Sequence, residues 1–375
     1  MPRALEGLRV VEFGAYAAGP HIGKMLANFG ATVVHVESRA HPDGFRLQYP
    51  PYKGGRPSLE GSGCFAYFND SKLGATLDLK NARGVALARR LAAACDVVIE
   101  NMRPGVMARI GLGFEVLEAS NPRLIMLSSC NMGQTGPRAD TPGFGSQLTA
   151  LAGIAHLTGE SGGPPMLLYG PYIDFIASTL GAAAVLAALE RRDAIGKGAY
   201  LDVSQYECGL LFIAGELLEY HSTGKVAERA GNADPDADPH GAFECGDGRW
   251  VALSCWNDAE RARLPANPGE WLASRSAEAA ARELQAAGVH AHPVNSVADL
   301  FADPQLAARG QWHRRVHDFI GEHAYCAPAF RLSATPGEVT SAAPTLGRDN
   351  EAVFRGLLGL TAEEYSAFEA AGAFA

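Results

Sequence analysis

Among the acidic residues of this chain, Asp174 has the surroundings that most suggest chemistry. It stands in YGPYIDFIASTLGAAAVLAALERR, residues 169–192, between apolar or small neighbours. Pro171 suits the first turn of a helix, which would put Asp174 in that turn. The positive end of the helix dipole would then hold its carboxylate ionised and available. On spacing alone, an acid that merely complements a helix terminus is the plainer reading. Basic residues in the first third of the chain, Arg39, Arg46, Lys72, Lys80, Arg103 and Arg109, fall at predicted strand ends and loops. Open α/β sheets bind ligands beyond the carboxyl ends of their strands, so a phosphate-bearing ligand is compatible with this cluster. Taken singly, each base is more simply a solvated surface charge.

Other motifs lead away from common chemistries. Gly159-Glu-Ser161-Gly-Gly163 matches the GxSxG elbow of hydrolases, but Pro164 and Pro165 forbid the helix that must follow, so a loop is expected. His290 and His292 share a face of a predicted strand, and His313 and His317 lie four apart. Neither pair has the neighbouring ligands of a zinc site, so no metal is expected. No GxGxxG or P-loop follows a predicted strand, which leaves a nicotinamide or nucleoside-triphosphate enzyme unsupported.

The elements that must position these residues read as α/β. Strands are predicted at Leu8–Phe13, Thr32–Glu37, Asp96–Glu100, Leu124–Ser129 and Ala199–Ser204. Helical patterns alternate with them, from Pro20, over Ala82–Ala94, near Gly105–Ile110, and in a long buried helix over Pro171–Arg192. The acidic, Pro-rich GNADPDADPHG, residues 231–241, marks a linker. A Gly-Asp-Gly hairpin then joins strands Gly241–Cys245 and Arg249–Trp256; helix Ser276–Ala287 and strand His290–Ser296 complete a smaller unit. The expected organisation is a large domain over 1–222, a small domain with linkers over 223–325, and a segment over 326–375 returning to the large domain.

Composition bounds the function. The 375 residues are 47% hydrophobic and 19% charged, as in a globular protein, with a formal net charge of -9. That charge argues against a nucleic-acid binder. The opening MPRALEGLRVVEF has no apolar signal segment. No uninterrupted apolar stretch reads as a membrane span, the longest being Phe175–Leu189. Seven scattered cysteines, never spaced CxxC, read as reduced thiols, so a cytoplasmic protein is expected.

Several ordered segments resemble the class III CoA-transferase (CaiB/BaiF) family. They are Leu5-Glu-Gly-Leu-Arg-Val-Val-Glu-Phe13 with Ala18-Gly-Pro20, Gly30-Ala-Thr-Val-Val-His-Val-Glu37, Asp43-Gly-Phe-Arg46, Asn69-Asp-Ser-Lys72, Thr76-Leu-Asp-Leu-Lys80, Asp96-Val-Val-Ile-Glu-Asn101 with Arg103-Pro-Gly105, Asn121-Pro-Arg-Leu-Ile125 and the pentapeptide Gly133-Gln-Thr-Gly-Pro137. The resemblance implies a Rossmann-like large domain plus a smaller α/β domain, with two chains interlocked as a homodimer. It implies that Asp174 is the catalytic nucleophile, forming an aspartyl anhydride and then an aspartyl-CoA thioester, with coenzyme A as substrate and product. It places CoA contacts at Tyr16 and Ala17, Arg39, Lys72, Asn101, Met102, Arg103 and Arg109.

Within the family, the chain departs from the formyl-CoA transferase branch. Tyr16-Ala17 stands where that branch has a Gln, Ser38 where it has a CoA-binding Arg, and the acidic 231–241 segment near its glycine-rich loop. Oxalate and formate are therefore not expected, and the stretch between Trp256 and Ser276 looks short. Pro142-Gly-Phe-Gly-Ser-Gln147 through His156-Leu-Thr-Gly159 is more similar to the benzylsuccinate CoA-transferase branch. That similarity implies a bulky or dicarboxylic acceptor, with succinyl-CoA as donor. Two alternatives accompany this reading. A 2-methylacyl-CoA racemase needs a base on each face of the α-carbon; Phe144 follows Gly143 where the racemase branch has His, leaving only His156. The other is a non-catalytic or partner-dependent subunit of a heteromeric transferase.

Overall fold

The computed structural model describes residues 3–375. Six strands form one sheet: β1 (Arg9–Phe13), β2 (Thr32–Glu37), β3 (Leu73–Thr76), β4 (Val97–Glu100), β5 (Ile125–Cys130) and β6 (Ala199–Ser204). Their order is β3-β2-β1-β4-β5-β6, and every pairing is parallel. This is the doubly wound Rossmann order. Apolar residues alternate between two covered faces, as a parallel sheet requires. Val11, Val34, Val98 and Met126 meet Leu87 and Leu91 of the Ala82–Ala93 helix. On the other face, Val10, Val33, Ile99 and Leu127 meet Ile22 and Leu26 of the Ala18–Asn28 helix and Val185 and Leu189 of the Tyr172–Ile195 helix.

That last helix is long and apolar enough to cross a membrane by length and composition. The uncharged run within it is still Phe175–Leu189, bounded by Asp174 and Glu190. Within the protein, Ile173, Ala177, Gly181 and Val185 are buried along it.

The chain divides into two compact units. The first takes the chain through Ala152, then Leu168–Ala214 and Gly310–Ala375; the second comprises Gly153–Leu167 and Gly215–Arg309. These bounds differ from those expected at 222 and 325: residues 310–325 go with the large unit and 153–167 with the small one. The reason for the first difference is a hairpin the sequence does not signal. Strands β10 (Trp312–His317) and β11 (Gly321–Cys326) pair with each other, and Tyr325 is buried with Phe45, Phe65 and Phe68 of the large unit. In the second unit, β7 (His240–Glu244), β8 (Trp250–Ser254) and β9 (His290–Pro293) form an antiparallel sheet against the Ala277–Ala286 helix.

Strand β3 is likewise silent in sequence, since Leu73-Gly-Ala-Thr76 is short and carries a glycine. Its outer edge is covered by the returning C-terminal segment. The Asp349 carboxylate accepts from Gly74 N–H, the Asn350 amide oxygen from Thr76 N–H, and the Phe374 carbonyl from the Thr76 hydroxyl. An open edge strand would otherwise present unpaired backbone groups.

Beneath the loops of this sheet lies a run of buried charge. Glu12 on β1 faces its register partner His35 on β2. The Glu12 carboxylate accepts from Lys72 Nζ at 2.5 Å and lies 2.7 Å from His35 Nδ1. Beyond the ring, His35 Nε2 stands 3.7 Å from both Glu37 and Asp43. Arg46 closes the run with a two-pronged contact to Glu37, 2.8 Å on each arm. Removing one member of such a buried set strands the other. A Lys72→Met variant should lose about 3–5 kcal/mol of stability through the uncompensated Glu12 carboxylate, read as a lowered urea midpoint at unchanged m-value.

Candidate active site

The site is built where β1 and β4 end, at the point where the strand order reverses. The loop after β1 is fixed by two side chains. The Asn101 amide accepts from Ala15 N–H at 3.0 Å and donates to the Ala15 carbonyl at 2.8 Å. Gly14 leaves room for this clamp, since a Cβ there would lie 2.2 Å from Asn101 Oδ1. Tyr16 adopts a left-handed backbone at φ 65°, uncommon for a bulky residue. The buried Asp43 carboxylate holds it there by accepting its N–H at 3.0 Å. Burial pushes Asp43 up to about 6. The Tyr16 phenol donates to Gln48, and its ring meets Phe45 and Phe144 edge-on.

Asp174 does lie in the first turn of its helix, with its N–H donating to the Pro171 carbonyl. Burial works against the helix terminus here. Burial raises its carboxyl to about 6 and outweighs the opposing contribution of its own backbone N–H. Among the described residues, no other side chain donates a hydrogen bond to this carboxylate. Gly145, at the start of the Gly145–Leu151 helix, abuts it: a Cβ there would fall 2.0 Å from Asp174 Oδ2.

Asp174 lines two cavities. One, about 240 Å³, is polar, with Asn101, Arg103, Ser129, Asn131, Asp140 and Gln205 on its walls. The other, about 460 Å³, is aromatic, with Phe45, Tyr49, Tyr67, Phe68 and Phe175 among its walls. Tyr16, Phe144 and Gly145 belong to both. A third cavity, about 370 Å³, adjoins the polar one through Tyr16, Asn101 and Met102 and runs past Ser38, His41 and Lys80. Glu100, pushed up to about 7 by burial, accepts from Met102 N–H at 2.7 Å and so orients the residue entering this wall.

The residues expected to contact CoA therefore divide. Tyr16, Asn101, Met102 and Arg103 come together along the polar cavity. Ala17 is buried and faces the aromatic cavity instead. Arg39 lines a separate hollow with Arg348 and Glu351. Arg109 is exposed on the short Val106–Arg109 helix and lines none of these cavities. Lys72 is corrected outright: it is 1% exposed, and its three donors go to Glu12, Asn69 and the Pro20 carbonyl. Arg46, also in the basic cluster, is equally buried in ion pairs.

Spacing alone did not single out Gly145, Asn131 or Gln205. Gly145 falls within the 142–147 stretch read above as a branch resemblance, but only geometry shows what its missing side chain permits. Ser161 lies in an exposed turn, as its prolines require. His290 and His292 share the exposed face of β9.

The model of CoA-transferase family III matches residues 5–267 and 259–350. The chain belongs to that family. The succinyl-CoA–L-malate CoA-transferase alpha subunit of Chloroflexus aurantiacus is 35% identical over 96% of this chain and 90% of its own. The succinyl-CoA–D-citramalate CoA-transferase of the same organism is 34% identical over 98% of each. A crystal structure of a CaiB/BaiF family protein from Brucella suis superposes with a TM-score of 0.86 at 31% identity, over 95% of this chain and all of that one. The transferase thus carries its family's fold and a carboxylate poised between two unlike cavities. Gly145→Ala should displace that carboxylate and cost about 100-fold in kcat for CoA transfer while leaving the thermal midpoint nearly unchanged.

Proposed function

We propose that this transferase moves CoA from an acyl-CoA donor to a carboxylic acid acceptor through covalent intermediates on Asp174. The observation that carries the reading is the Asp174 carboxylate, without a side-chain partner among the described residues and standing at the junction of a polar and an aromatic cavity. A thioester laid across that junction would direct its CoA arm past Asn101, Met102 and Arg103 and its acyl group to the other side. Arg103 suits a phosphate or amide oxygen of CoA through its forked donors.

The steps balance without metal or nucleotide. The Asp174 carboxylate attacks the thioester carbonyl, the C–S bond breaks, and an acyl-aspartyl anhydride and CoA thiolate form. The thiolate attacks the aspartyl carbonyl and releases the donor acid, leaving an aspartyl-CoA thioester. The acceptor carboxylate attacks that thioester, CoA thiolate leaves again, and its attack on the acceptor's acyl carbonyl regenerates Asp174. Water must be excluded while the anhydride exists. The aromatic walls beside Asp174 serve that need.

The racemase alternative requires two bases about the α-carbon. No histidine is among the residues that line either cavity at Asp174. His156 instead stands beside Glu228 and Arg229. The retained, accessible Asp174 also favours an active subunit over an inert one.

Incubation with an acyl-CoA and hydroxylamine, then digestion and mass measurement, should yield a modified Asp174 peptide. Asp174→Ala should abolish both label and transfer; full activity in that variant would overturn the reading. The reacting form is the anion of a group held near pH 6. Labelling should therefore fall about tenfold per pH unit below that point and level off above it.

We also propose that the chain assembles, as an interlocked homodimer or with a related subunit. Leu211 and Phe212 are 63% and 59% exposed and share an open apolar hollow with Tyr172 and Leu180. Apolar surface of this kind marks association faces. The relative named as an alpha subunit supports the heteromeric form. Native mass spectrometry of the chain expressed alone should show a dimer with transferase activity; an inactive monomer would favour a missing partner.

A further inference from the structure

The cavity on the acyl side of Asp174 has a chemistry of its own. Its walls include Phe45, Tyr49, Tyr67, Phe68, Phe144 and Phe175. No lysine, arginine or histidine is among its lining residues. The rings are already arranged as mutual partners. Phe45 stacks on Phe68 at 5.1 Å, Phe68 on Phe175 at 5.8 Å, and Tyr16 stands edge-on to Phe144 at 5.7 Å. These spacings suit offset and edge-to-face contacts, and a further ring entering the cavity would meet the same geometry. The size, about 460 Å³, is that of a small-molecule site.

The ionisable groups on this wall argue in one direction. Asp174 is an acid, and burial holds the Cys64 thiol neutral, pushed up to about 12. The Tyr67 phenol is pushed up to about 12 as well, so it stays protonated. A second carboxylate placed here would be desolvated without a cation and would face the charge of Asp174. Among the described residues lining the two cavities, the arginine is Arg103, and it lies on the polar wall on the CoA side.

We propose that this cavity receives an uncharged aromatic or bulky hydrophobic acyl group, so that one of the two exchanged acids is an arylalkanoic monocarboxylic acid. This rests on the reading that Asp174 is the acyl acceptor. It departs from the dicarboxylic and hydroxylated acids named for the relatives, and it resolves the choice between a bulky and a dicarboxylic acceptor in favour of bulk.

The test offers 3-phenylpropionate, succinate, L-malate and acetate together to the full-length protein, with acetyl-CoA and 3-phenylpropionyl-CoA as alternative donors, and reads the CoA esters by mass. The expected result is a kcat/KM at least about tenfold higher for 3-phenylpropionate than for succinate or malate. Cys64→Phe, which fills the cavity, should lower the phenylpropionate-to-acetate ratio at least about tenfold. Equal or preferential use of succinate or malate overturns the proposal, as does a ratio unmoved by Cys64→Phe in a folded variant. Should no acid be turned over, the Asp174 chemistry fails separately, and calorimetry decides the cavity. Saturable binding of 3-phenylpropionate but not succinate, weakened at least tenfold by Cys64→Phe, supports the proposal; no saturable binding of 3-phenylpropionate overturns it.

Discussion

The buried carboxylate of Glu12 is the contact on which the rest of the site depends. It sits between Lys72 from the segment entering β3 and His35 on β2. His35 stands in turn beside Glu37 and Asp43, and Asp43 accepts the N–H groups of Tyr16 and Phe45. A charge balance deep under the sheet is thus passed, group by group, to the loop that walls the cavities at Asp174. Buried ion pairs contribute little net stability compared with apolar residues of the same shape. Their use here is positional. A one-residue slip of β1 against β2 would separate Glu12 from His35 and strand several charges at once, so the network specifies register and loop together.

How legible this was in the sequence depends on the range of each interaction. The strands of the sheet's centre announce themselves because Val-Val-Glu-Phe, Val-Val-His-Val and Val-Val-Ile-Glu are near-continuous apolar runs. Asp174 at a helix start was readable because Pro171 and the alanine-rich run that follows are local signals. By contrast, β3 and the β10–β11 hairpin owe their existence to distant partners, the C-terminal segment and the Phe45–Phe65–Phe68 cluster. Lys72 misled for the same reason. A lysine at a strand end looks like a phosphate ligand until a glutamate sixty residues earlier is seen to hold it. Asn101 and Arg103 do line the cavity at Asp174, but family likeness could not distinguish a residue that faces a ligand from one that clamps a loop.

Asp174 illustrates a tension between two effects that act on one carboxyl group. The helix terminus favours its anion, and burial disfavours it. Burial prevails, so the group titrates near 6 and not near the usual aspartate value. A carboxylate that is poorly solvated and held only by its own backbone N–H, with no side-chain donor among the described residues, is costly to fold around. Gly145 maintains this condition by contributing no side chain to fill or solvate the space beside it.

The latch on the outer edge of β3 has a consequence for biogenesis. Thr76 is bonded to Phe374 across 298 residues of chain. At translation rates of roughly 5–20 residues per second, the strand would wait about 15–60 s on the ribosome before its covering segment existed. During that interval the growing sheet presents a bare edge, a template for pairing with any neighbouring nascent chain. Production of this protein in quantity should therefore be governed less by its final stability than by what shields β3 until the segment around Phe374 has been made.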